Sequence, residues 1–371
     1  MSIIPPRAVL GDLPAYAPGR IPPTVDGLVS YKLSANENPW GPIPAAQQAI
    51  AQYAAQVHRY PEPTTVRLRR QIGKTLGVPV QDVVTAAGSL GALSQIITAF
   101  VGVDRDGVAD EVLYAWRSFE AYPILVTTAG AINVQIPNRA DGAHDLPAML
   151  DAITDRTRVI LLCSPNNPTG PSLTQAAVDE FLAAVPGDVV VVLDEAYREF
   201  QSDPAVVDGV RTYREHPNVV VLRTFSKAHG LAGLRVGYSL SQEVITQHVR
   251  QVVVPFAVTE LAQAAAVATL EHLEQVRERV ELITAERDRV QAELARMGCW
   301  TPVTQANFVW LDLGKETERF TEACAQQALA VRAFPGEGVR VTIGEPEANN
   351  RFLQVCQDFT PLPSAPELSV P

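Results

Sequence analysis

Several features that define other protein classes are missing from this 371-residue sequence. No apolar run approaches the roughly 18 residues that a membrane-spanning helix needs, so we expect no membrane insertion. The formal net charge of −11 provides no basic excess, which argues against nucleic-acid binding through the phosphate backbone. The proline-rich start has no continuous apolar core, and we therefore expect no secretory signal there.

Cysteine is scarce and shows no ligand spacing. Cys163, Cys299, Cys324 and Cys356 form no CxxC or Cys/His pattern. We therefore expect reduced, mostly buried thiols in a cytoplasmic protein, and no metal site. The sequence also lacks a GxxxxGK[ST] loop and a basic helix-turn-helix segment, which excludes a P-loop nucleotide site and a DNA-binding regulator.

Alternating strands and helices are abundant instead. The chain is 47% hydrophobic, which is ample for a large core. Short apolar runs, such as those in 158–165, 188–197 and 218–227, are separated by helical segments. This alternation predicts an α/β fold with a mostly parallel sheet that helices cover on both faces. The predicted parts are an N-terminal arm that packs with the small domain (1–30), a large domain (31–248), a small α+β C-terminal domain (249–360) and a tail (361–371).

One strongly helical segment spans residues 259–298. Its apolar side chains recur at steps of three, four or seven and form one stripe among charges: Val280, Ile283, Val290, Leu294 and Met297. A coiled coil is one interpretation of this stripe. Because the stripe is short and strands follow it, a long helix packed on its own domain is the better one.

Each predicted strand ends in a polar or glycine-bearing loop, and such loops converge outside the carboxyl ends of an open α/β sheet. The loop residues are Gly88-Ser89, Trp116-Arg117, Pro165-Asn166-Asn167, Asp194-Glu195 and Ser226-Lys227. Taken singly, each has an ordinary interpretation: a capped turn at Gly88, a helix N-cap at Asp194, or a strand end in solvent at Lys227.

Taken together, these residue types match one cofactor. An amine, a buried acid, a helix start suited to phosphate, a rigid asparagine loop and the downstream Arg235 are what pyridoxal 5′-phosphate requires. Its aldehyde needs a lysine amine, its ring nitrogen needs an acid, and its phosphate needs N–H groups, hydroxyls and an arginine.

Seven segments, in this order, resemble those of the fold-type I, pyridoxal-phosphate-dependent aminotransferases of class I/II. They are LSANENPWGP (33–42), HRYPEP (58–63), SPNNPTG (164–170), DEAYREF (194–200), RTFSKAHGLAGLRVGY (223–238), QANFVW (305–310) and VRVTIG (339–344). Within the family, the chain is similar to the histidinol-phosphate aminotransferase branch, and most of all to its actinobacterial aromatic amino acid aminotransferases. The resemblance implies a mostly parallel, doubly covered sheet with a smaller α+β C-terminal domain and an N-terminal arm.

The resemblance also implies a role for individual residues around the cofactor. Lys227 would form the Schiff base, Asp194 would pair with the pyridinium nitrogen, and Tyr197 and Asn167 would bind the phenolic oxygen. The remaining cofactor contacts would come from Ser226, Arg235 and the backbone N–H groups of Ser89 and Leu90 at the phosphate, and from the ring of Phe119 stacked on the cofactor. Lys227, Asp194 and Tyr197 are the expected catalytic residues.

Substrate and subunit contacts follow from the same resemblance. Arg340 would clamp the substrate α-carboxylate, and Asn36 lies in the segment that closes over it. Tyr60 would reach the phosphate in a neighbouring subunit, which implies a homodimer with shared active sites. His229 stands where the family more often has tyrosine, and we expect it outside the first contacts.

Two substrates remain open within the branch. An aromatic amino acid (Phe, Tyr or Trp), exchanging its amino group with a 2-oxo acid such as 2-oxoglutarate in a ping-pong cycle, needs an apolar wall. Candidates for that wall are Tyr16, Phe119, Tyr122 and Phe256. Histidinol phosphate instead needs extra cationic donors, for which Arg332 is a candidate, although the resemblance places this arginine in both groups. We favour the aromatic substrate. A lyase or decarboxylase on the same fold need not keep Arg340, which argues against that alternative.

Overall fold

The computed structural model describes residues 7–11, 13 and 21–366. In this part of the chain the strands form two separate sheets, one of seven strands and one of four. The strands are β1 (Tyr31–Leu33), β2 (Val83–Ala86), β3 (Glu111–Trp116), β4 (Ile132–Pro137), β5 (Thr157–Cys163), β6 (Val190–Asp194), β7 (Val219–Thr224), β8 (Gly237–Leu240), β9 (Phe308–Asp312), β10 (Leu329–Phe334) and β11 (Gly338–Thr342).

The larger sheet confirms the predicted mostly parallel arrangement. Its order is β2-β8-β7-β6-β5-β3-β4, and only β8 runs antiparallel to its two neighbours among the described strands. Strands β5, β6 and β7 lie side by side in the middle, with Leu161 opposite Val192 and Val192 opposite Val220. Their carboxyl ends therefore meet at one edge, where the polar loops follow.

Helices fill the connections between these strands. The described α-helices are α1 (Pro44–Ala54), α2 (Val66–Leu76), α3 (Gly88–Phe100), α4 (Ala121–Ala129), α5 (Leu146–Asp151), α6 (Gln175–Ala184), α7 (Gly209–Glu215), α8 (Glu243–Gln251), α9 (Glu260–Glu271), α10 (Leu273–Arg296), α11 (Thr317–Gln326) and α12 (Pro346–Asp358). Among the described residues, none of the helices is both long and apolar enough to cross a membrane.

Successive residues of β6 show that helices cover both faces of the large sheet. Val191 and Leu193 belong to one buried cluster, and Val190 and Val192 belong to a second cluster on the opposite face. Side chains alternate between the two faces of a strand, so a strand buried on both sides must be apolar throughout. This is the physical reason for the continuous apolar run that precedes Asp194.

The smaller sheet has the order β1-β10-β11-β9. Its first strand, Tyr31–Leu33, pairs in parallel with Leu329–Val331 from near the other end of the chain. These three residues, which the sequence assigned to the large domain, thus share a sheet with the C-terminal segments. The division of the chain into arm, large domain, small domain and tail stays a prediction.

The predicted long helix is interrupted at His272. Helix α9 ends at Glu271 and α10 begins at Leu273, with His272 between them in a non-helical conformation. The His272 ring nitrogen Nδ1 lies 3.0 Å from the carbonyl oxygen of Ala268, so its side chain takes the place of a helical N–H donor. The apolar stripe on α10 faces inward as expected, with Val280, Ile283, Val290 and Leu294 buried.

Candidate active site

A cavity of about 300 Å³ opens at the carboxyl edge of the central strands, between the two sheets. Residues from the loops after β2, β3, β5, β6 and β7 line it, together with residues that follow β1 and residues on β10 and β11. Its lining is Ser34, Ala35, Asn36, Glu37, Ser89, Leu90, Phe119, Glu120, Cys163, Asn167, Asp194, Ala196, Tyr197, Thr224, Ser226, Lys227, Ala232, Arg235, Arg332 and Arg340. The structure therefore brings together twelve of the fourteen predicted site residues; Tyr60 does not line the cavity, and Tyr16 falls outside the described residues.

Lys227 enters this cavity from the loop after β7. Its Nζ donates a hydrogen bond to the carbonyl oxygen of Ala35 at 2.9 Å. Burial, followed by the positive charge of Arg340, lowers the pKa of the Lys227 amine to about 7. A substantial fraction of this amine is consequently unprotonated at neutral pH, as a nucleophile requires.

Asp194 lies at the end of β6, buried beside a tyrosine that the sequence assigned elsewhere. Its Oδ2 accepts a hydrogen bond from the hydroxyl of Tyr122 at 2.8 Å. Its Oδ1 is buried and has no hydrogen-bond partner among the described residues. Burial raises the pKa of the Asp194 carboxyl to about 6, while the bond from Tyr122 lowers it. No helix follows Asp194 directly, so it serves as no helix cap here.

A corner with several hydrogen-bond donors forms where α3 begins. Helix α3 starts at Gly88, which places the backbone N–H groups of Ser89 and Leu90 at the cavity wall. Nη1 of Arg235 donates to Oγ of Ser226 at 3.1 Å, so both ends of the 226–235 loop meet at this corner. Gly88, with φ +78°, lies against the Arg235 guanidinium so closely that a Cβ there would overlap Nη2. The corner offers N–H groups, a hydroxyl and a cation.

Asn36 connects the small sheet to the cavity. Its Nδ2 donates to the hydroxyl of Tyr197 at 2.8 Å, and its Oδ1 accepts from Oγ1 of Thr342 at 3.0 Å. Asn36 is fully buried with φ 54°, a left-handed conformation that asparagine tolerates better than most residues. The Tyr197 hydroxyl is thereby held at the cavity, and burial raises its pKa well above its usual range.

Arg340 on β11 directs its guanidinium into the same space. Nη1 donates to Oδ1 of Asn167 at 2.5 Å, and Nη2 donates to the carbonyl oxygen of Ser34 at 2.7 Å. This side chain therefore touches the asparagine loop after β5 and the segment after β1 at once. A fork in such a position is suited to a carboxylate with two oxygens.

Arg332 forms a contact that the sequence gave no sign of. Its Nη2 lies 2.7 Å from each carboxylate oxygen of Glu120, and its Nε lies 3.2 Å from Oε2. Both residues line the cavity, and the Arg332 side chain is buried. Glu120 follows Phe119 directly in the chain, so two successive residues place an aromatic ring and an acid at the cavity wall. The sequence did not indicate Glu120, because its partner Arg332 is 212 residues further along the chain.

Several predicted residues lie elsewhere. Tyr122 was expected in a substrate wall, but it is buried behind Asp194 and is absent from the cavity lining of the described chain. Phe256 also lies outside this cavity, with its ring 4.7 Å from that of Tyr60. Tyr16 falls outside the described residues. His229 is buried, and its Nδ1 lies 2.9 Å from Oγ1 of Thr269, away from the cavity lining as expected.

Comparisons with known proteins agree on one family. The family model for aminotransferase class I and II matches residues 30–355. An aromatic amino acid aminotransferase of Streptomyces avermitilis is 50% identical over 353 residues, which are 95% of this chain and 97% of that protein. A protein of the same name from Thermobifida fusca is also 50% identical, over 95% of this chain and 96% of its own.

The fold is also shared with solved structures. Histidinol-phosphate aminotransferase from Sinorhizobium meliloti, determined in complex with pyridoxal-5′-phosphate, superposes with a TM-score of 0.84. The superposition covers 96% of this chain and 98% of that one, at 25% sequence identity.

Proposed function

The chain belongs to the class I and II aminotransferase family, and on that premise we propose that it uses pyridoxal 5′-phosphate to move the amino group of an aromatic L-amino acid to a 2-oxo acid. The observation that best supports this cofactor is that Lys227 and Asp194 line the same cavity. The 50% identity to aromatic amino acid aminotransferases supports the substrate class.

The residues present fit this cofactor. The unpartnered Oδ1 of Asp194 is an acceptor in a buried site, where an N–H donor such as a pyridinium would satisfy it. The corner of Ser89, Leu90, Ser226 and Arg235 supplies donors for a phosphate. Lys227 would hold the aldehyde carbon.

When bound, pyridoxal phosphate supplies an aldehyde that takes up an amino group and a ring that accepts the electrons left when the Cα proton departs. Asp194, kept ionised by its partners, holds a positive charge on the ring nitrogen. Nζ of Lys227 removes the proton from Cα of the amino acid, for which its lowered pKa near 7 is suited.

The remaining residues orient the reactants. The Arg340 fork would receive the α-carboxylate in place of Asn167, leaving the amide of Asn167 and the hydroxyl of Tyr197 directed at the cofactor oxygen. Phe119 lines the cavity and would stack on the ring. These positions reduce the freedom of the reacting groups, which is a major source of rate enhancement.

We further propose a homodimer with shared sites. Tyr60 is 84% exposed and stacks on Phe256, which is 43% exposed and adopts φ 63°. Val254, which lines the same pocket as Phe256, is exposed too, and so is Val57, three residues before Tyr60. Because Tyr60 does not line the cavity of its own chain, its predicted contact with the cofactor requires a second copy. Sedimentation should give twice the mass of one chain, and a monomer that retains full activity would contradict this arrangement.

Comparison of two substrates tests the function. The specificity constant for phenylalanine with 2-oxoglutarate should exceed that for histidinol phosphate. A constant about a hundredfold higher for histidinol phosphate would overturn the aromatic assignment, because a difference of that size reflects groups built for the substrate. Histidinol phosphate is the relevant competitor because of the structural likeness to the Sinorhizobium meliloti enzyme.

Lys227→Ala provides the mechanistic control. It should abolish turnover and the absorbance of lysine-bound cofactor while leaving the protein folded, because Lys227 is a desolvated charge rather than a packing residue. Normal turnover in this variant would show that Lys227 is not the residue that binds the cofactor. In the wild type, addition of phenylalanine alone should convert the bound cofactor to its amine form.

A further inference from the structure

We propose that Glu120 selects against substrates with an anionic side chain by neutralising Arg332 at the cavity wall, an inference that rests on the function proposed above. Arg332 without a carboxylate beside it would attract a distal phosphate or carboxylate. With Glu120 bound through both of its carboxylate oxygens, that part of the wall carries a balanced pair of charges.

The geometry makes the pair costly to open. Three nitrogen–oxygen contacts between 2.7 and 3.2 Å join the two side chains, and that of Arg332 is 8% exposed. An anionic group that bound Arg332 would displace Glu120 and leave a partly buried carboxylate beside it. Separating such a pair costs much more than leaving it intact, whereas an uncharged aromatic ring makes no such demand.

Other cations at the cavity are placed for different tasks. Arg235 lies at the corner where α3 begins and donates a hydrogen bond to Ser226. Arg340 donates hydrogen bonds to Asn167 and to the backbone of Ser34. Arg332 is consequently the guanidinium whose ion-pair partner determines whether the cavity wall binds a charged or an uncharged substrate side chain.

A second ion pair joins the same two segments and supplies a matched control. Arg117 and Glu120 lie between β3 and α4, whereas Arg332 and Glu337 lie on β10 and in the turn that follows it. Arg117 pairs with Glu337, and the guanidinium carbons of Arg117 and Arg332 each lie 5.5 Å from the ring centre of Phe334. Both pairs therefore connect loop to hairpin, but Glu337 does not line the cavity of the described chain.

The experiment compares wild type, Glu120→Gln and Glu337→Gln. We expect Glu120→Gln to raise the ratio of specificity constants for histidinol phosphate over phenylalanine by about tenfold or more. Glu337→Gln removes a connection of the same kind without changing the charge of the cavity, so its ratio should stay within about threefold of wild type. Glu120→Asp keeps the charge and should keep the wild-type ratio.

An unchanged ratio of specificity constants in Glu120→Gln would overturn the inference, because it would show that the charge of Glu120 has no effect on selection. An equal change in Glu337→Gln would also overturn it, because the effect would then come from a weaker connection between the loop and the hairpin. Cofactor absorbance and thermal melting establish that each variant is folded. If the wild type itself prefers histidinol phosphate, the proposed function has failed instead. Glutamate and glutamine, which match in shape and differ in charge, then test Glu120 independently: Glu120→Gln should favour glutamate, and no change would overturn the inference.

Discussion

The hydroxyl of Tyr122 donates a 2.8 Å hydrogen bond to Oδ2 of Asp194, whose other carboxylate oxygen is buried and has no hydrogen-bond partner in the described chain. Burial raises the pKa of Asp194 to about 6, and the Tyr122 bond opposes that rise. The Tyr122 hydroxyl is thus one of the groups that favour the ionised form of Asp194, together with the backbone N–H of Ala196 and the charge of Lys227.

Tyr122→Phe should weaken cofactor binding and displace its pH dependence. Without the hydroxyl, the pKa of Asp194 rises further, so the ionised form that holds the ring nitrogen appears only at higher pH. We expect the dissociation constant of pyridoxal phosphate to increase about tenfold at pH 7, in line with loss of a hydrogen bond to a charged group. Titrations of cofactor absorbance between pH 5.5 and 8.5 measure this.

Tyr114→Phe is the matched control, because Tyr114 is a buried neighbour whose ring centre lies 5.7 Å from that of Tyr122 and whose hydroxyl bonds to Asn133 instead. It should leave the pH profile in place. If the wild type, Tyr122→Phe and Tyr114→Phe show the same pH dependence of cofactor binding, the Tyr122 hydroxyl does not control the ionisation of Asp194.

Gly88→Ala should damage phosphate recognition specifically. Its methyl group would overlap the Arg235 guanidinium, and its φ of +78° disfavours any side chain. We expect affinity for pyridoxal phosphate to fall by roughly tenfold, while affinity for phosphate-free pyridoxal changes little. Gly187→Ala, at a position with open space around it, provides the control. An equal loss for both ligands would indicate general distortion instead.

Arg340→Lys should raise the KM for the amino acid by about tenfold or more, because a single ammonium cannot replace a two-pronged fork on a carboxylate. The absorbance of the bound cofactor should stay near that of wild type. Steady-state kinetics with phenylalanine measure the effect, and Arg139→Lys at an exposed surface pair is the comparison. An unchanged KM would mean that the α-carboxylate binds elsewhere.

His144 should make the cofactor-free protein sensitive to acid. Burial lowers its pKa from 6.5 to about 4, so the folded protein binds fewer protons than the unfolded chain between these values. Stability is therefore complete above pH 6.5 and declines as the pH falls towards 4, by about 2 kcal/mol at pH 5.

His144→Gln should reduce the difference in melting temperature between pH 7 and pH 5, whatever its effect at pH 7 alone. His58→Gln, at an exposed position, should leave that difference unchanged. The proposal about His144 is wrong if both variants behave as wild type.

The sequence predicted that these loop residues converge on one cavity, because they follow the ends of neighbouring strands. Asn167, Asp194 and Lys227 follow β5, β6 and β7, which are neighbours in the sheet, so order along the chain translates into proximity. Continuous apolar runs also identified those strands, since burial on both faces leaves a strong signal.

The substrate side was harder because its contacts join distant segments. Glu120 lies in the loop between β3 and α4 and Arg332 lies on β10, and no local pattern pairs them. Tyr122 was recognised as an aromatic residue near the site, but composition cannot tell whether a ring faces a cavity or a buried acid. Strand β1 was missed as part of the small sheet because three residues give too short a pattern to assign to a partner.

The pairing of β1 with β10 sets the order in which this molecule can be completed during synthesis. Tyr31 has no strand to pair with until Leu329 has left the ribosome. Asn36, five residues after Tyr31, likewise contacts Thr342, which is synthesised later still. The large sheet can form earlier from contiguous strands, but the wall opposite it cannot. A nascent chain that stopped before β10 would therefore hold Lys227 in a cavity that is open on one side.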